Sequence, residues 1–135
     1  MPVEFTLHHR LAADTIFVED WSLSRVLLLN DARYTWLVLV PRRADLVELH
    51  DLAPADRIVL VEELARAGRG LKTLTGAAKI NTGALGNIVP QLHIHVLARS
   101  PGDPAWPGPV WGHSPAEPYS AAALEQRLGA LRGRL

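Results

Sequence analysis

Three features of this chain predict an α+β fold built on one antiparallel sheet. Residues 15–40 alternate with a period near two and are broken by short polar turns. From Pro54 the apolar spacing changes to three and four, which is the period of a helix. After Gly76 the period returns to two, through Ala98. Strands, one long helix, then strands again is the order of an α+β domain rather than of repeated βαβ units.

Each element follows from its residues. Thr15 to Glu19 and Leu23 to Leu29 read as strands joined by the polar turn Glu19-Asp20-Trp21-Ser22. Asn30-Asp31-Ala32-Arg33 is a second turn, because Asn and Asp side chains bond their own backbone. Tyr34 to Val40 is rich in β-branched and aromatic residues and stops at Pro41. Leu46 to Leu49 reads as a short edge segment. Ile58, Leu60, Val61, Leu64, Ala65, Ala67, Leu71 and Leu74 then form one helical stripe, opened by Pro54 and Asp56 and closed by Gly76. Gly68 and Gly70 inside it imply close packing or a bend, since each costs about 1 kcal/mol in an exposed helix. Ala78 to Thr82 and Leu92 to Ala98 complete five strands. Ser100 to Pro118 holds six prolines, three glycines, Trp106 and Trp111, and is irregular. Its tryptophans imply packing on the domain, a partner subunit or the rim of a site. Ser120 caps a final helix, Ala121 to Leu131. The organisation expected is a core over residues 1–99, with residues 100–135 packed on the same domain.

Composition narrows the function. Hydrophobic residues make up 48% and charged residues 21%, as in ordinary globular proteins. Fourteen basic and fourteen acidic side chains cancel, which gives no general pull toward nucleic acid or a membrane surface. Cysteine is absent, which excludes disulfides and thiolate metal sites and fits a reducing cytoplasm. The first ten residues lack the basic and apolar regions of a signal peptide, and the apolar runs are too short for a membrane span. A cytoplasmic protein is the expectation.

Chemistry concentrates in one stretch. In Gln91-Leu92-His93-Ile94-His95-Val96-Leu97, strand alternation puts Gln91, His93 and His95 on one face and Leu92, Ile94 and Val96 on the other. Just upstream, Asn81-Thr82-Gly83-Ala84-Leu85-Gly86-Asn87 is a bend able to bring backbone N–H groups to an anion. Two imidazoles beside such a bend point to chemistry on phosphate. Alone, a His-x-His pair equally fits a polar strand face or a chance metal pair.

This stretch resembles the histidine triad superfamily of nucleotide hydrolases and transferases, whose signature is His-φ-His-φ-His-φ-φ with φ apolar. His93 and His95 match the second and third histidines, and Gln91 stands at the first. Asn81, Gly83, Gly86 and Asn87 fall where the family has its phosphate loop, and Asn30 where some members carry a ribose-contacting Asn. Trp36-Leu37-Val38-Leu39-Val40-Pro41 resembles the family's His-φ-φ-φ-φ-Pro strand, with Trp36 at the histidine. The likeness spans roughly residues 15–99. It implies a homodimer joined sheet edge to sheet edge, and attack of His93 on the α-phosphorus of a nucleotide to form a nucleotidyl-histidine, which water or another acceptor resolves. His95 would bind phosphate oxygens and protonate the leaving group, while Asn81, Asn87 and the bend's N–H groups hold the nonbridging oxygens. Dinucleoside polyphosphates and nucleoside phosphoramidates are the substrates it implies. No cofactor is required, although magnesium can accompany a polyphosphate.

Gln91 and Trp36 replace both supporting histidines together. Glutamine orients but does not shuttle a proton, so reduced or altered activity is expected. An inactive nucleotide-binding module is one alternative. A metalloenzyme using His93, His95 and a third ligand such as His50 or Asp51 is another. Phe17, Leu28 and Leu37 are candidates for an apolar base slot or for plain core. Arg99 is a candidate to neutralise phosphates or, the favoured reading, to end its strand in solvent. His8, His9 and His113 are expected on the surface, His113 also being near enough to Trp111 to reach a site rim. His50 is expected to be structural, and Asp45, Glu48, Glu62 and Glu63 to be solvated.

Overall fold

The computed structural model describes residues 4–135. A short helix α1 (His9–Asp14) leads into strands β1 (Thr15–Asp20), β2 (Ser24–Leu29) and β3 (Trp36–Pro41). A single 3-10 turn (Leu49–Asp51) precedes the long helix α2 (Pro54–Thr75), followed by β4 (Lys79–Gly83), β5 (Ile94–Arg99) and α3 (Ala121–Leu131). The strands form one antiparallel sheet in the order β1-β2-β3-β5-β4. The α+β class with five strands, a long helix and a C-terminal helix is therefore as the sequence predicts.

Both faces of the sheet are covered. Val26, Leu28, Leu37, Leu39 and Val96 face α2 and pack on Ala67, Leu71 and Leu131. Leu27, Trp36, Val38, Val40 and Leu97 face the other way, against Leu11, Val89, Ala105 and Val110. The second layer is thus built from α1, the bend after β4 and the Pro/Trp segment. Leu28 and Leu37 are fully buried on the α2 side, whereas Phe17 is 48% exposed with the Arg25 guanidinium over its ring. The base slot suggested for these three does not exist, because they sit on opposite faces.

Other details depart from expectation for identifiable reasons. Leu46 to Leu49 is not a strand: the Asp51 carboxylate accepts from the N–H groups of Val47 and Glu48, capturing donors a ladder would need. In α2, Ile58 and Val61 are exposed while Glu63 is buried. Glu63 points inward between Leu60 and Ala67, and its two oxygens each accept a 3.0 Å bond, from Leu23 N and Ser24 N. The helix runs through both glycines without a break. A Cβ on Gly70 would meet Leu135 at 2.8 Å, and one on Gly68 would meet Ile80 at 3.4 Å, so close packing explains both. Among the described residues no helix is long and apolar enough to cross a membrane.

Candidate active site

His95 lies within β5, paired with Val38 of β3 and Gly83 of β4. His93 lies one residue before the ladder begins. There the Leu92 N–H donates to Leu46 O rather than to a strand, and the Gln91 carbonyl is engaged by the imidazole of His93. The apolar face is as predicted: Leu92, Ile94 and Val96 are buried toward α2 and its loop. The two imidazoles approach edge to face, with centroids 5.1 Å apart.

Hydrogen bonds fix the state of each ring. His93 Nδ1 is 2.7 Å from Gln91 O, and a carbonyl only accepts, so Nδ1 carries a proton and, in the neutral ring, Nε2 is the nitrogen with the lone pair. His95 Nδ1 accepts a 2.8 Å bond from Trp36 Nε1–H. Trp36 and Trp111 flank His95, with ring centroids 5.5 and 5.7 Å away. Desolvation by these walls, and secondarily the neighbouring His93, lowers the His95 pKa from 6.5 to about 4. His95 is thus neutral at pH 7.

Two cavities meet at His93. One, about 330 Å³, is lined by Leu11, Leu29, Val89, Gly86, Asn87, His93 and His95, with Arg10 and Asp14 also on its wall. The other, about 300 Å³, runs between Gly86, Gln91 and His93 on one side and Glu48, Leu49 and His50 on the other. Volumes of this order admit one small-molecule moiety each. Gly86 adopts φ +78°, a left-handed turn that a Cβ would strain, and it lines both cavities.

The residues singled out from sequence divide. His93, His95, Gly86 and Asn87 share the first cavity, while His93, Gly86 and Gln91 share the second. Asn81 and Asn30 line neither. Asn81 Oδ1 accepts from Arg99 Nη1 at 2.9 Å, and Asn30 Oδ1 accepts from Tyr119 N at 2.9 Å. Arg99, expected in solvent, is only 2% exposed. It forms a two-pronged ion pair with Asp103 and also donates to Gly108 O, which draws its guanidinium inward. His50 is exposed, 4.0 Å from Asp51. Among the described residues no cluster of three His, Cys, Asp or Glu side chains is assembled for a metal.

The Gln91 carboxamide is committed to the N-terminal segment. Its Oε1 accepts from His8 N and its Nε2 donates to Thr6 O, each at 2.8 Å. This clamp seats the segment that leads into α1 and thereby into the first cavity's wall. We expect Gln91→Ala to cost about 1–2 kcal/mol, from two lost hydrogen bonds. Limited proteolysis should show faster cleavage before residue 9, with the remaining domain intact.

Sequence reasoning missed Arg10, Leu11 and Asp14 as wall residues, because α1 is only six residues long and is capped by His8 Nδ1 rather than by Ser, Thr, Asp or Asn. It also missed that Trp36 bonds His95 and that Trp111 covers it. The signal for Trp111 was Gly83: a Cβ there would lie 3.0 Å from its ring.

The HIT domain family model matches residues 10–102. No curated protein matches the chain. Among solved structures, a histidine triad (HIT) protein from Sinorhizobium meliloti is 48% identical, with a TM-score of 0.94 and 97% of each chain covered. A histidine triad protein from Bradyrhizobium japonicum is 46% identical, with a TM-score of 0.94 and 98% of each chain covered. One from Marinobacter aquaeolei is 42% identical, with a TM-score of 0.96 over 98% of this chain and 97% of that one. With the HIT model spanning more than half of its length, this chain belongs to the histidine triad family.

Proposed function

We propose that this protein is a nucleotide hydrolase or nucleotidyl transferase that attacks an α-phosphate through a covalent nucleotidyl-histidine on His93. The observation that carries this reading is the bond from His93 Nδ1 to the Gln91 carbonyl. It selects the tautomer whose lone pair is on Nε2, on a ring that lines both cavities, as an imidazole nucleophile requires. In the first step an Nε2–P bond forms and the P–O or P–N bond to the leaving group breaks. The proton stays on Nδ1, hydrogen-bonded to the Gln91 carbonyl, which steadies the positive charge that the imidazole gains. In the second step water or another acceptor attacks phosphorus, the Nε2–P bond breaks with its electron pair returning to the ring, and the acceptor's proton passes to solvent. A nucleoside monophosphate or its ester is released.

The apolar side of the first cavity, Leu11, Leu29 and Val89, suits a nucleobase. The Gly86–Asn87 bend and His95 suit the phosphate oxygens. The second cavity suits the leaving half. Dinucleoside polyphosphates and nucleoside phosphoramidates are the substrate classes, magnesium accompanies a polyphosphate, and Asn81 and Asn30 act indirectly, by holding Arg99 and Tyr119. A cytoplasmic homodimer joined along a free sheet edge, β1 or β4, belongs to the same reading.

The test is capture of the intermediate. Rapid quenching with a dinucleoside polyphosphate should add one nucleoside monophosphate mass to the intact protein, mapped to His93. Binding of AMP without any adduct, across polyphosphates, phosphoramidates and nucleotide sugars, would instead make this a nucleotide-binding module.

A further inference from the structure

Trp36 occupies a place where its indole has one polar atom and one use for it. An indole N–H donates and never accepts. Its 2.8 Å partner, His95 Nδ1, must therefore offer a lone pair, which places the proton of neutral His95 on Nε2. Protonating His95 would put a second N–H at Nδ1, directly against the indole N–H. Either the hydrogen bond or the imidazolium has to be given up.

The surroundings of His95 reinforce this. On its own strand's face lies His93. From β3 it meets Trp36, from β4 Gly83, and from the Pro/Trp segment Trp111, none of which titrates. From α1, Arg10 and Asp14 line the shared cavity but pair with each other at 3.7 Å on the surface. The Gly86–Asn87 bend brings no acidic group. Among the described residues the one carboxylate on the cavity shared with His95 is that of Asp14, which Arg10 neutralises.

We propose that Trp36 is a positioning residue that holds His95 as a neutral Nε2–H donor, so that the site favours α-phosphoryl substrates whose leaving group departs as an oxyanion. This rests on the nucleotidyl-histidine reading above. His95 then donates a hydrogen bond to a phosphoryl oxygen but has no proton to give away. When His93 Nε2 bonds to phosphorus, the P–O bond of an anhydride breaks and its electron pair leaves on a polyphosphate oxygen, stable without protonation. An alkyl phosphoramidate must instead expel an amine, and the P–N bond breaks readily only if nitrogen gains a proton. Here that proton must come from solvent.

The experiment compares a dinucleoside polyphosphate with an alkylamine phosphoramidate of the same nucleoside, alongside ¹⁵N NMR of the histidine rings. At pH 7 the anhydride should be preferred in kcat/KM by at least about 10²-fold, the lower end of what general-acid assistance supplies. His95 should show the Nε2–H tautomer. In Trp36→Phe, which keeps an aromatic ring but removes the donor, the His95 titration point should rise by about one pH unit, a tenfold gain in proton affinity. The substrate preference should narrow in parallel. Equal use of the two substrates, an Nδ1–H tautomer in the wild type, or a Trp36→Phe protein with unchanged His95 titration would overturn the proposal. If Trp36→Phe does not fold, the wild-type tautomer and substrate ratio still decide. Absence of any His93 adduct with either substrate overturns the nucleotidyl-histidine reading itself, a result separable from an adduct that forms equally well from both.

Discussion

His93→Ala should reduce turnover of any nucleotide substrate by at least about 10⁴-fold, the scale of losing a covalent nucleophile. The imidazole is the ring shared by both cavities, and its Nδ1 is already bound to the Gln91 carbonyl, so no neighbour can take its place. His95 stands 5.1 Å away but offers Trp36 its lone pair, leaving a protonated nitrogen that is no nucleophile. The loss should appear in kcat with nucleotide affinity largely kept, because the apolar wall, the Gly86 turn and Asn87 are untouched. A steady-state assay with matched AMP binding by calorimetry checks this. Residual turnover within tenfold of wild type would remove His93 from the chemistry.

The histidine strand was legible because one local rule governs it. Ile94 and Val96 are buried on the α2 side while His95 faces the opposite layer, as the period of two requires. The long helix was legible for a similar reason, since spacing along a helix maps onto one face, although Ile58 and Val61 of the expected stripe are exposed. What stayed hidden depends on partners brought together by a turn or by the sheet rather than by strand or helix period. Nothing local tells Arg99 from a solvated strand end; Asp103 and Gly108 reach it only after the chain reverses direction. Glu63 looked like a surface charge because its partners, Leu23 N and Ser24 N, are backbone groups some 40 residues away. Trp36 was visible as a departure from the family strand, yet its bond to His95 needs β3 and β5 side by side. Leu28 and Leu37 were apolar in the right strands but on the wrong face for a ligand.

Asp103→Ala should cost about 3–5 kcal/mol, because it leaves the Arg99 guanidinium buried without its counter-charge. Arg99 is 2% exposed, and both of its prongs reach the Asp103 carboxylate, at 2.8 and 3.1 Å. The same carboxylate accepts from the backbone N–H groups of Ser100, Ala105 and Trp106, so it also holds the turn that begins the Pro/Trp segment. Against a total stability of about 5–15 kcal/mol, the loss should lower Tm by on the order of 15 °C. Arg99 holds the Asp103 pKa below its ordinary value of 3.8, first through their hydrogen bonds. The pair's contribution is therefore present above pH 3.8 and fades as pH falls through the lowered folded value, so the gap between wild type and variant should close only in strong acid. Arg99→Lys should recover part of the charge but not the fork, since one ammonium cannot span both carboxylate oxygens, Asn81 and Gly108 together. The effect should also reach the site. Trp111 follows Gly108 by three residues and rests on Gly83 beside His95, so loosening the turn admits water to that wall. His95 would then titrate above its value of about 4, toward 6.5, without any change in its own bonds. Thermal melts across pH, paired with NMR titration of His95, read both consequences. A variant that melts with wild type while His95 stays unmoved would mean that the Pro/Trp segment is held by its apolar contacts and not by this ion pair.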